Sequence, residues 1–376
     1  MAGFRYGVST YPRTKQFGDM LEKEVDSIVK SLRQHTSIFL WAGDNECDVA
    51  AYWRGISPTP NDNTLTRQII PLVIRNTDPI RPYLPSSPYV DEVAEKIPSR
   101  RLPEDHLWGP RDYYKSEFYS TALTRFASEI GYHGCPAPNS VKNFISADKI
   151  WPPLDNPEWL VHATCMEIRE NCSYSFRIKL MSDQVKTLFG KDMDNINDYA
   201  VASQISQAEA FKYFIEHFRY QKPMRTGIIW WNLLDGWPQF SDAVVDYYYN
   251  RKLAYFVIKR SQQPLCLMFK EPNSNKELEL VAVSEFKEDC PITYKVEELT
   301  KGETVLEGST TALADAVTDI EKVCNVNDEF GFYLISWTSK YGKGVNHYIS
   351  GKPTYNYETV VECFKKADLL EIDGLE

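Results

Sequence analysis

No apolar run in this 376-residue chain approaches the roughly 20 residues that a membrane-spanning helix needs. No Lys/Arg-rich run stands out either. Forty-two basic residues face 52 acidic ones, for a formal net charge of -10. That balance makes nucleic acid and anionic membrane poor partners. The eight cysteines are scattered, with no C-x-x-C pair, so no zinc pattern is present. Free, mostly buried thiols and a reducing compartment are expected. No Gly-rich phosphate loop follows any predicted strand, which argues against a nucleotide cofactor. The opening residues Met1 to Val8 lack a basic segment followed by an apolar one, so no signal peptide is read there, and a cytoplasmic location is expected.

What is present is core material. Hydrophobic residues make up 43% and charged residues 25%, a globular composition with enough chain for two or three domains. Aromatics reach 13%, including nine Trp and 23 Tyr. Aromatic faces stack on the C–H faces of sugars, and they also build large cores.

The first 260 residues alternate between strand and helix patterns. Residues 4–10 read as a short strand. Asp19, with Glu22 three residues on, reads as a capping box opening a helix over 20–34, with Leu21, Val25, Ile28, Val29 and Leu32 on one face. The run Ser37 to Trp41 reads as a buried strand. A helix over 62–76 bent at Pro71, then strands at Tyr83-Leu84, Asp105 to Trp108 and Arg125 to Gly131, follow. A helix over 203–219, a buried strand Gly227 to Trp231 and a helix near 250–260 complete this part. Beyond about Gln262 short alternating runs between turns read as an antiparallel β-sandwich. The chain therefore divides into 1–261 and 262–376, the first part being a βα barrel or a doubly wound sheet.

In a βα barrel, catalytic groups lie where strands end at one face. Glu46 follows the strand at 37–41, and Glu129 closes the strand at 125–129. Two carboxylates on one face suit glycoside hydrolysis, which needs one acid to protonate the departing oxygen and one carboxylate to meet the anomeric carbon. The bland alternative for each is a turn or strand-end acid. Asp44 and Asp48 add charge beside Glu46, and no metal is implied.

The segment Ser37-Ile38-Phe39-Leu40-Trp41-Ala42-Gly43-Asp44-Asn45-Glu46 resembles that around the general acid of glycoside hydrolase family 2, in its β-mannosidase-like branch. Arg81 to Pro88, Asp105 to Trp108, Phe126 to Gly131 and Gly227 to Pro238 resemble, in the same order, later segments of that family. The resemblance implies a (β/α)8 TIM barrel, then an immunoglobulin-like β-sandwich. It implies a retaining exo-β-glycosidase without cofactor, acting on a carbohydrate substrate, β-mannoside first. Glu46 would be the acid/base and Glu129 the nucleophile. Asn45 would bond the sugar 2-hydroxyl, Trp231 would stack beneath the sugar, and His106 and Trp108 would line the site. Asp44 stands where that branch carries Asn, and Asn232 and Leu234 replace a polar pair. An exo-β-glucosaminidase or β-galactosidase-like specificity therefore stays open, as does a non-catalytic carbohydrate-binding barrel fragment.

By the same resemblance Glu46 ends the fourth strand, and residues 4–10 are the third. A full barrel of about 250 residues would place about 100 residues before Glu46. The barrel is thus expected to lack its first two βα units. A missing N-terminal portion or complementing fragment is the expected partner, and the isolated chain is expected to be poorly active.

Overall fold

The computed structural model describes residues 2–3, 11–49, 63–96, 102–163, 176–324, 326 and 328–375. The chain forms two compact units, Met1–Leu107 with Ala122–Glu129, and Trp108–Thr121 with Ile130–Glu376. Both mix helices and sheets, and no helix among the described residues is long and apolar enough to cross a membrane.

The first unit opens with β1 (Ala2–Gly3), α1 (Lys15–Leu32) and β2 (Trp41–Asn45). The expected strand at 4–10 lies outside the described residues. Helix α1 forms over the apolar stripe that the spacing predicts, and Leu21, Val25 and Val29 are buried. Its cap differs from expectation. Thr14, not Asp19, has the extended backbone of a cap, and its hydroxyl accepts from the Phe17 N–H at 3.2 Å. Asp19 instead pairs with Lys15 one turn away at 2.6 Å. An acid four residues along a helix from a lysine finds a closer partner than a cap would supply.

Strand β2 also differs: it starts at Trp41, where the apolar run ends, and includes Gly43, Asp44 and Asn45. Parallel pairing decides this. Trp41 and Ala42 lie beside β1, and Trp41, Ala42, Asp44 and Asn45 lie opposite Tyr83, Leu84, Ser86 and Ser87 of β3 (Tyr83–Ser87). Phe39, which the apolar run assigns to a buried strand, is 56% exposed. Between β2 and β3 a wide turn at Leu65–Ile69 leads into α2 (Ile70–Thr77), with Pro71 in its first turn, where a missing N–H costs nothing. Leu65, Ile70, Val73 and Ile74 pack with the α1 stripe around Trp41, which is fully buried. Each such side chain contributes roughly 1.5–3 kcal/mol. Strands β4 (Glu104–His106) and β5 (Phe126–Gly131) pair in parallel, with a register shift between Asp105 and His106 that sets His106 opposite Glu129.

In the second unit, α3 (Phe176–Phe189) and α4 (Ile196–Arg219) precede β6 (Gly227–Trp231) and α5 (Leu253–Ser261). Helix α4 starts seven residues earlier than the periodicity predicts, because it is buried nearly all round and its polar residues are inside. Ser203, Gln204 and Gln207 hold irregular backbone. Gln207 donates to the carbonyls of Tyr132 and Asp242 at 2.9 and 3.0 Å. Gln204 donates to the Cys135 carbonyl and accepts from the Leu253 N–H, while Ser203 accepts from the Cys135 N–H. Lys252, wholly buried, donates to the Gly134 carbonyl at 2.7 Å. The predicted burial of β6 is only partial. Ile229 is 36% exposed and the rest of the strand is half-buried, since an apolar run does not specify what covers its faces.

Antiparallel strands follow: β7 (Leu265–Phe269), β8 (Leu278–Ser284), β9 (Cys290–Glu298), β10 (Glu303–Ala312), β11 (Val317–Val323), β12 (Gly331–Ser339) and β13 (Gly342–Ser350), then α6 (Tyr357–Lys366). They form two sheets, β10-β9-β12-β13 and β11-β8-β7, whose facing residues make one apolar core. Among the described residues, Cys47, Cys135, Cys266, Cys290, Cys324 and Cys363 are free thiols.

Two stability measurements check these assignments. Thr14→Ala is expected to cost about 1 kcal/mol and Asp19→Ala at most about 0.5 kcal/mol in urea unfolding. Equal costs would contradict the cap. Gln207→Leu leaves two buried carbonyls without donors and is expected to cost about 2–4 kcal/mol, read from the urea midpoint.

Candidate active site

Glu46 lies one residue beyond β2 and does not continue its extended backbone. Its φ is +60°, a left-handed conformation that is uncommon for a residue with a side chain. Its N–H is bonded to the Ser87 carbonyl at 2.8 Å. The approach of β3 depends on Gly43. A Cβ there would lie 2.3 Å from the Pro85 carbonyl oxygen and 2.4 Å from the Tyr83 hydroxyl.

The turn brings the Glu46 carboxylate to His106, with Oε1 2.8 Å from Nδ1. Glu129 Oε1 lies 3.9 Å from the same nitrogen. One ligand atom from each of Glu46, His106 and Glu129 lies within 4.8 Å of the other two. The His106 side chain is 2% exposed, and those of Glu46 and Glu129 are 13% and 11% exposed. The two carboxylates and the imidazole therefore face one another in a largely dry site. These three donors could also converge on a divalent cation.

The hydrogen bonds around His106 constrain its protons. Ser87 donates its hydroxyl to Glu104 at 2.6 Å, and its oxygen is 3.1 Å from His106 Nε2. Since the one serine proton goes to Glu104, Nε2 must be the donor toward Ser87. Nδ1 then faces the Glu46 carboxylate oxygen. Glu104 also accepts from the Ser128 hydroxyl and from the Tyr89 N–H, the latter at 3.2 Å.

Glu104 and Ser87 escape the sequence reading. Glu104 lies two residues before His106, and so on the same strand face, which was the available signal. Ser87 has none, because its two bonds exist only once β3 and β4 are adjacent. Asn45 ends β2, half-buried, beside Glu46. Asp44 is 4% exposed and accepts the Ser86 hydroxyl, so its replacement of the usual Asn lies within the protein. Trp41 packs in the helical core and donates its indole N–H to Asp78 at 2.9 Å.

Trp108 and Trp231 belong to the second unit, where they meet at Gly131. A Cβ on Gly131 would lie 2.5 Å from the Trp108 ring and 2.7 Å from the Trp231 carbonyl oxygen. The Arg111 guanidinium lies over the Trp108 ring, 4.9 Å from its centre. Trp230 faces the helix side, edge-on to Phe211 at 6.0 Å, as alternation along β6 requires.

No family model matches the chain. Among curated proteins it is similar to β-mannosidase B of Emericella nidulans, 24% identical over 286 residues, which is 70% of this chain and 32% of that protein. It is likewise similar to β-mannosidase A of Aspergillus terreus, 26% identical over 305 residues. The chain thus spans about a third of the length of the curated relatives it matches. Among solved structures it is similar to a β-D-mannosidase from Dictyoglomus thermophilum, with a TM-score of 0.75 and 24% identity, covering 91% of this chain and 41% of that one. An exo-chitosanase of Amycolatopsis orientalis aligns with a TM-score of 0.62 and 16% identity, over 91% of this chain and 40% of that one. These relatives agree with the resemblance to glycoside hydrolase family 2 that the ordered motifs carry, and the solved neighbours share its fold.

Proposed function

We propose that the chain supplies the catalytic pair of a retaining exo-β-glycosidase that removes terminal β-mannosyl residues. The observation that carries this reading is the close approach of Glu46 and Glu129, whose nearest oxygens lie within 4.8 Å. That approach fits the about 5–5.5 Å separation of a retaining pair better than the about 6.5–9.5 Å of an inverting pair, which must leave room for its water.

In this reading Glu129 attacks the anomeric carbon as the bond to the aglycone oxygen breaks, and Glu46 gives its proton to that oxygen. A glycosyl ester on Glu129 results. Glu46, now a carboxylate, takes a proton from water, which displaces Glu129 and frees the sugar. His106, between the two glutamates, holds the Glu46 carboxyl in place. Asn45 would bond the 2-hydroxyl, and Trp108 and Trp231 would supply aromatic faces. Strands β1–β6 read as the third to eighth of a (β/α)8 barrel, the antiparallel sheets as the sandwich after it. The buried position of Asp44 keeps β-mannoside ahead of the other sugars, because the residue departing from the usual motif bonds Ser86.

Trapping tests the chemistry. A 2-deoxy-2-fluoro-β-mannosyl fluoride is expected to add one fluorosugar to the peptide carrying Glu129, and Glu129→Gln to abolish the label. A label on another residue would contradict the assignment. Turnover of aryl β-mannosides is expected to withstand EDTA. A loss restored by added Mg2+ would instead mean that Glu46, His106 and Glu129 serve as metal ligands.

A further inference from the structure

Glu46 is held in a backbone state that costs a non-glycine residue roughly 1–2 kcal/mol. Something must hold it there. The residues two before and two after it, Asp44 and Asp48, are both buried, at 4% and 2% exposed. Ser86 bridges them, donating its hydroxyl to Asp44 and accepting the Asp48 N–H at 3.4 Å. Asp44 also accepts the Cys47 N–H at 3.3 Å. Asp48 turns its carboxylate the other way, where Oδ2 accepts from Arg67 at 2.5 Å and from the Val90 N–H at 3.1 Å.

Arg67 is itself fixed. Its side chain is 13% exposed, and its guanidinium bonds the Thr66 hydroxyl at 2.9 Å and lies over the Tyr89 ring. It sits in the wide turn before α2, where the Ile70 N–H reaches back to the Leu65 carbonyl, five residues earlier. Turns of that kind inside helices recur at functional sites. Burial pushes the Asp48 carboxyl up to about 6 even with Arg67 beside it, so this carboxylate without its arginine is costly to keep charged.

We propose that Arg67 is a positioning residue for the acid/base: through Asp48 it holds the reversal that takes Glu46 out of β2 and sets its carboxylate on His106. The proposal rests on the reading of Glu46 as the acid/base. Arg67 touches no reacting atom, and its effect runs through the three-residue span from Glu46 to Asp48.

The test uses leaving groups. In a double displacement, kcat/KM reports the first step, and a 2,4-dinitrophenolate departs without needing a proton, whereas an alkoxide or sugar oxygen needs one. Arg67→Met is expected to lower kcat/KM about 100-fold for alkyl and disaccharide β-mannosides, as a misplaced catalytic group does, and less than about 3-fold for the 2,4-dinitrophenyl glycoside. Arg67→Lys is expected to recover part of the loss. Equal losses on both substrate classes would overturn the proposal, since they would mean general damage. If Arg67→Met fails to fold, Arg67→Met/Asp48→Asn, which leaves no buried unpaired charge, carries the same measurements. Amide hydrogen exchange gives an answer independent of turnover. Exchange over residues 45–49 is expected to quicken at least tenfold in these variants, with α1 unchanged. Unchanged exchange at 45–49 would overturn the proposal. Wild-type turnover of alkyl β-mannosides that survives Glu46→Gln would instead end the reading of Glu46 as an acid/base, while exchange would still decide the role of Arg67.

Discussion

Ser87 joins three strands of the first unit with one residue. Its carbonyl accepts the Glu46 N–H, its hydroxyl goes to Glu104, and its oxygen faces His106. Remove that bridge and β2 loses the contact that turns Glu46, while β4 loses the group that orients the imidazole. The orientation matters because an imidazole that meets Ser87 through Nε2 turns Nδ1 to Glu46. The chemistry of the pair therefore depends on a residue that touches neither carboxylate. Around it stands a second ring of support, Ser86 with Asp44 and Asp48, and Arg67 behind them.

The second unit uses a related solution at larger scale. A long helix buried on nearly every side should be apolar throughout, yet α4 carries Ser203, Gln204, Ser206 and Gln207 inside. These side chains take the place of a strand ladder for backbone that has none, at residues 132–135 and 242–253. Ser203, Gln204 and the Gln207 amide nitrogen each meet a main-chain partner, which is the condition under which burial of a polar side chain is tolerable. Further along, Glu209 meets His347 at 2.5 Å, and Glu216 receives Asn346 and Ser261, so the same helix is tied to β13 and α5. In both units, irregular backbone is held by side chains reaching over from a regular element.

Much of this was legible in the residues. The stripe of α1, the strand β6 and the placement of Glu46 just past a strand follow from spacing and motif alone, whereas Glu129 lies within β5, which runs on to Gly131. His106 was legible as a lining residue, though not as the group between the two glutamates. Other features were not legible. The start of α1 depended on which of two nearby polar residues found a competing partner, and Lys15 captured Asp19. Strand β2 moved by four residues because its bounds are set by register with β3, and a register belongs to two segments at once.

The sequence by itself determined the family resemblance, the alternation of helices and strands, and the choice of the two glutamates as candidates, because each rests on local pattern or on a run of neighbouring residues. Only the tertiary structure decided what surrounds them: the left-handed backbone at Glu46, its contact with His106, and the bonds made by Ser87, Glu104 and Arg67. Those depend on hydrogen bonds between residues about 20 to 60 positions apart, and no local pattern encodes a partner at that distance.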